Sequence, residues 1–178
     1  MPNPLKNLSR LITAMLISGV SLSSHGALPY IEEAQEIFKE ATFVWPTPPG
    51  PSNPHTELQT YEVPQPSSGT YQIELNSLTL GSDEVIRMVL VQTSTTGVQN
   101  VSFEGVRCKT GERKLYAFLK SDGTWNEYHQ ARWQAIQNFA SAKHIVTLAK
   151  NFLCAGGGAW GSVKDIQYRL RQGGEKWR

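Results

Sequence analysis

Seven of the ten prolines fall between residues 45 and 66: Pro46, Pro48, Pro49, Pro51, Pro54, Pro64 and Pro66. Proline has a fixed φ and no N–H, so this stretch can form neither a continuous helix nor a central strand. It divides the chain. Residues 45–54, WPTPPGPSNP, read as an extended, partly polyproline-II linker. The alternative is a docking motif for an aromatic groove. A sizeable core must therefore come from residues 70–178, with residues 27–69 supplying a short helix and the linker.

From residue 70 the pattern is that of strands. Tyr71, Ile73 and Leu75 alternate, and residues 84–95, EVIRMVLVQTST, form a dense β-branched run suited to a central strand. Val101 and Phe103 alternate before Gly105, which suggests a bulge or bend, and Leu115, Ala117 and Leu119 alternate again. Leu80–Asp83, Thr96-Gly97, Lys109–Gly111 and Ser121–Gly123 are turn signals between these runs. The connections are too short for parallel crossovers, so an antiparallel meander is expected.

Helical spacing flanks the strands. Residues 29–41 repeat Ile31, Ala34, Ile37, Phe38 and Ala41 at intervals of three and four. Residues 138–153 carry Phe139, Ala142, Ile145, Leu148, Ala149, Phe152 and Leu153 on one wide face, with Gly156–Gly158 to stop the helix. Ser162 and Asp165 form a capping-box pattern before Ile166 and Leu170, which predicts a short helix over 162–171. The expected fold class is α+β. It comprises an antiparallel β-meander of four to five strands with a long C-terminal helix on one face, preceded by the Pro-rich linker and a short N-terminal helix.

Residues 1–10 hold Lys6 and Arg10 and no acid, residues 11–22 are mostly apolar, and SSHGA follows. That is the order of an export signal, with cleavage expected after Gly26. Without it the chain has 15 positive and 15 negative side chains, from totals of 17 and 15. A neutral chain lacks the cationic surplus of an ordinary nucleic-acid binder. No later apolar run is long enough to span a membrane. The expected location is the periplasm, an oxidising space, where an even cysteine count fits one disulfide between Cys108 and Cys154. A metal or redox pair is the rival reading, without a C-x-x-C motif to favour it.

Familiar catalytic patterns are missing. There is no Walker loop, no G-x-S-x-G and no H-E-x-x-H. Gly156–Gly161 matches G-x-G-x-x-G in form only, since a helix rather than a strand precedes it. His55, His129 and His144 are scattered, so no metal site and no cofactor are expected. Glu104, Glu112, Asp122 and Glu127 lie near strand ends and suit either acid–base chemistry or a solvated rim. Trp125, Trp133 and Trp160 can pack or stack on a ligand, and Trp125, just after a turn, is the candidate exposed aromatic.

Residues 100–108, NVSFEGVRC, then KLYAFLKSDGTW, Trp133 and the closing NFLC resemble the cryptic neisserial protein-like family of exported proteins from Gram-negative bacteria. The likeness covers about residues 70–170, and Arg87–Val91 resembles the family's central strand. The resemblance implies a small periplasmic domain with Cys108 and Cys154 paired, and no activity. It directs attention to Glu104 and Arg107. A bulge at Gly105 would bring both to one side as a structural ion pair or a ligand-facing pair. The reading that follows is a non-catalytic exported protein that binds a protein partner or small ligand in the periplasm. The alternative is a small hydrolase with a carboxylate-based site at the sheet rim.

Overall fold

A computed structural model of the chain describes residues 38–50, 53, 55–64, 69–136 and 143–173. The expected export signal, residues 1–26, residues 27–37 of the N-terminal region and residues 137–142 lie outside the described residues. Of the expected N-terminal helix, residues 38–41 are described, and they carry no helix.

Seven strands form one antiparallel sheet in the order β1 (Leu58–Thr60), β2 (Thr70–Leu80), β3 (Val85–Thr93), β4 (Gln99–Arg107), β5 (Glu112–Leu119) and β6 (Trp125–Glu127), with β7 (Gln134–Ala135) also paired to β5. Each long strand is the neighbour of the next because the turns between them are short. β3 is the central strand. All its residues from Val85 to Val91 are buried, so it has two apolar faces rather than one. Ile86, Met88 and Leu90 join the larger core, while Val89 belongs to a second cluster with Phe103, Tyr116 and Ala117. Each such side chain, fully buried, contributes about 1.5–3 kcal/mol of hydrophobic stabilisation.

The larger core is covered by α1 (Lys143–Leu148), a π-helical turn (Ala149–Leu153), a hairpin of β8 (Cys154–Ala155) and β9 (Gly158–Ala159), and α2 (Val163–Arg171). Ile145, Leu148, Phe152, Leu153, Ile166 and Leu170 supply its buried side chains. α2 starts at the capping box, where Ser162 N and Oγ both donate to Asp165 Oδ2 at 2.8 and 2.6 Å.

The expected arrangement of four to five strands under a long C-terminal helix is overturned. The sheet has seven strands, and the described residues hold only the two short helices and the π turn. Two causes act on the chain after residue 153. The Cys154 N–H donates to the Ala149 carbonyl, closing a wide i→i+5 turn, and Cys154 itself is extended at φ −119° and ψ 141°. Gly156 and Gly157 then take φ of +57° and +83°, the two positive values that a two-residue hairpin needs. The glycine run therefore reverses a hairpin rather than releasing a loop. β1, β6 and β7, at two or three residues each, are too short to show alternation.

The opposite face is covered by a strap, Phe38–Gly50. Phe43 lies 5.8 Å from the Phe103 ring and 5.0 Å from Tyr116, and Trp45 is 5.4 Å from Phe103. Under the strap lies Arg87, whose side chain is 1% exposed. It forms two hydrogen bonds to Asp83, at 2.6 and 3.2 Å, and stacks 4.5 Å over Phe43. Burial raises the Asp83 pKa, but hydrogen bonds from Arg87, Ala41 and Val85 outweigh it and bring the group down to about 2.

Two ladder irregularities shape this face. Between Glu74 and Thr79 β2 bulges, and Ser77 Oγ accepts from Val89 N at 2.8 Å, satisfying an N–H of β3. On β5, Phe103 pairs Ala117 while Glu104 pairs Leu115, so Tyr116 is the extra residue. Its ring lies over Gly105, where an added Cβ would come 2.8 Å from the phenol oxygen. Gly105 therefore remains in the regular ladder, and the bulge is in the strand opposite. Gly105→Ala should displace Tyr116 and lower unfolding stability by about 1–3 kcal/mol, read from the urea midpoint at unchanged m-value.

Candidate functional site

Two concavities flank the helix-covered face. The larger, about 630 Å³, is built where the end of β4 meets the π turn. Cys108 and Cys154 are joined there by a disulfide, with Cα atoms 5.4 Å apart. Ile136, Val146 and Ala149 add apolar surface, and Gly156-Gly157 of the hairpin turn also line the hollow. Lys150 is the charged residue among those lining it. Among the described residues the lining holds no acid, histidine or hydroxyl–base pair, Thr110 being its hydroxyl. A volume in this range with mostly apolar walls suits a small molecule held by burial, with the ammonium as a polar anchor.

The smaller concavity, about 180 Å³, lies between β4, β5 and α1 and is lined by Tyr61, Tyr71, Ser102, Glu104, Arg113 and His144 among others. Glu104 is 4% exposed. It accepts from Ser102 Oγ at 2.8 Å and from Arg113 Nη1 at 3.3 Å. Burial pushes the Glu104 carboxyl up, against the opposing charge of Arg113 and both hydrogen bonds. Burial likewise raises the Tyr61 phenol, helped by the Glu104 charge. His144 stacks on Tyr71, with centroids 5.5 Å apart and planes at 10°. Burial, then the Arg113 charge, lower its pKa to about 4. The imidazole is therefore neutral at neutral pH. Chemically the slot holds one carboxyl, already engaged by a guanidinium and a hydroxyl, and a histidine that does not protonate until well below pH 6.

The structure does not bring Glu104 and Arg107 together. Glu104 faces the slot, whereas Arg107 pairs with Glu112 at 3.1 Å and stacks 3.6 Å over the Phe38 ring. With Gly105 in the regular ladder, the two strand residues remain on opposite faces. Trp125 is half-buried. Its Nε1 donates to the Pro46 carbonyl at 2.8 Å and its ring lies 6.2 Å from Phe103. The remaining acids do not converge. Thr110 and Arg107 donate to Glu112, while Asp122 accepts from Thr124 inside its own turn and pairs with Lys120 at 3.3 Å.

Sequence reasoning missed Arg113, Ser102 and Tyr61 as companions of Glu104. Arg113 has a visible signal, as a cation one strand away across a short turn, but its approach depends on the bulge at Tyr116. Among the described residues no group of three or more His, Cys, Asp or Glu side chains is placed to hold a metal ion. No helix among them is long and apolar enough to cross a membrane.

The His144 geometry has a pH signature. Its ordinary pKa is 6.5, and the folded value is about 4. Between those values the unfolded chain binds the extra proton, so stability falls as pH drops from 6.5 toward 4. The expected loss is up to about 3 kcal/mol. Urea titrations at pH 7 and pH 4.5 should show it, and His144→Phe should remove most of the slope in that window.

A family model, that of the CNP1-like family, matches residues 33–171. That span includes the strap, the sheet, the disulfide and both concavities. No curated protein and no solved structure matches the chain.

Proposed function

Since the chain belongs to the CNP1-like family, and the family match covers both concavities, we propose that it is an exported binding module of the periplasm, acting without catalysis in the cell envelope. The apolar hollow of about 630 Å³ beside the Cys108–Cys154 bond carries this reading. Its walls offer shape and burial and its rim offers one ammonium, which is the equipment of a binder rather than of a hydrolase. Export rests on residues 1–26 and on a disulfide whose persistence needs an oxidising compartment. The bond closes a loop of 46 residues, and the chain-entropy model gives it a stabilisation of about 4 kcal/mol.

A second reading is a small hydrolase with a carboxylate at the sheet rim. It is favoured by one observation, the raised pKa of the buried Glu104. It needs a second acid or a nucleophile beside that carboxyl, and the slot lining holds Glu104 as its acid.

The hollow is tested with N-phenyl-1-naphthylamine, an apolar dye that brightens when buried. Saturable brightening is expected, with at least a tenfold loss of affinity in Ala155→Trp, which places an indole at the mouth. Equal binding by the two proteins would remove the hollow as the site. Export is tested by the mass of the protein from the periplasmic fraction. Loss of residues 1–26 is expected, with a gain of about two hydrogens on reduction. Full-length protein held in the cytoplasm would overturn that half of the reading.

A further inference from the structure

The strap lies on the sheet as a bound peptide would. Its contacts are made with residues distant in sequence. The carboxylate of Glu40 accepts from Lys114 Nζ at 2.7 Å, from Trp133 Nε1 at 2.9 Å and from the Tyr116 hydroxyl at 3.4 Å, and Arg87 stands 3.9 Å away. Two cations and two neutral donors thus converge on one acid, which is the composition of a carboxylate receptor. The Ala41 N–H donates to Asp83 Oδ2 at 2.8 Å, fixing the backbone. Phe38 lies between the Arg107 guanidinium, at 3.6 Å, and the edge of Trp133, at 5.8 Å. Phe43 and Trp45 seat on Phe103, and the Pro46 carbonyl is held by Trp125.

Every receptor group belongs to β3, β4, β5, β6 or the segments beside them. None belongs to the strap. The contacting part of the strap, Phe38–Pro46, is joined to the receptor only through residues 47–57, which include Pro48, Pro49, Pro51 and Pro54. Such a joint, fully extended, reaches on the order of 35 Å for its eleven residues. In this copy the joint is folded back, with the Asn53 N–H donating to the Gly50 carbonyl and the Thr56 N–H to the Asn53 carbonyl, and its prolines favour an extended alternative. A short proline-bearing joint between a segment and its receptor is the arrangement from which identical elements exchange between two copies.

We infer that this face of the sheet is a receptor for an extended acidic–aromatic segment, and that its partner in trans is the Phe38–Pro46 strap of a second copy of this chain. The two occupants make the same contacts, so exchange costs no interaction. The balance is set by concentration and by the conformation of the joint.

The probe is a fluorescein-labelled peptide with the sequence of residues 38–46, FKEATFVWP. It is titrated into the full chain and into two full-length variants whose own strap is loosened, Phe43→Ala and Glu40→Gln. Saturable anisotropy is expected for the variants, at least tenfold tighter than for the unaltered chain, whose receptor is filled. A further Lys114→Ala change should weaken peptide binding at least tenfold. If Phe43→Ala does not fold, Glu40→Gln, which keeps every ring of the strap, carries the test. The second readout is light scattering on the unaltered chain refolded from urea at high concentration. A dimer that returns to monomer only after unfolding and dilution is expected. No saturable peptide binding by a folded variant, or a refolded chain that is monomeric at every concentration, would overturn the inference.

Discussion

β3 is buried on both sides, and the rest of the molecule is arranged to keep it so. A strand running Val-Ile-Arg-Met-Val-Leu-Val cannot leave either face to water without exposing three or four large side chains. One face is roofed by α1, the π turn and α2. The other is roofed by a segment with no regular structure of its own. That asymmetry explains the strap. A thirteen-residue extended piece makes few internal hydrogen bonds, so it must be held by side chains, and the aromatic ladder of Phe43, Trp45, Phe103 and Trp125 does so.

Arg87 is the costly element of this design. A guanidinium buried in the central strand requires a counter-charge, and Asp83 supplies it from the preceding turn with Glu40 behind it. Among the described residues its Nε finds no acceptor. A sheet that needed stability alone would carry an aliphatic residue at that position. The cation places a charge 3.9 Å from the Glu40 carboxylate, a contact that an uncharged apolar segment in place of the strap would lack. It contributes specificity on a surface whose rings would otherwise accept many partners.

The long strands were legible because period-two alternation and short turns leave few other solutions. Residues 70–78, 84–95, 100–108 and 113–119 all fall within observed strands or at their ends. The failures have physical causes. Residues 145–153 do present a helical apolar face, but α-helix holds only to Leu148, the wider π turn takes over to Leu153, and the left-handed Gly156 and Gly157 turn a hairpin where a loop was expected. Phe43 and Trp45 stand two apart within a Pro-rich stretch, and their seat on Phe103 requires knowing that β3 has a second buried face. Arg87 was the available signal, a cation inside an apolar run. At the candidate site, Glu104 was visible but its partner was not. The residue two positions from Gly105 on the same strand points away, and Arg113 reaches Glu104 across a register shift that leaves no trace in spacing.

The edges of the sheet bear on how the molecule behaves among its own copies. β1 covers only Gln72–Glu74 of β2, and beyond it the Leu75 carbonyl accepts from the Gln167 side chain while the Leu75 N–H donates to the Glu57 carbonyl. On the far side β6 and β7 divide β5 between them, and Tyr128 N–H closes the gap by donating to the Tyr116 carbonyl. Each side is finished in short pieces and side-chain plugs, so among the described residues no long edge strand lies open to another strand. Short, interrupted edges of this kind disfavour edge-to-edge pairing. What the described residues leave for a second copy is the side chains on the faces of the sheet rather than its backbone.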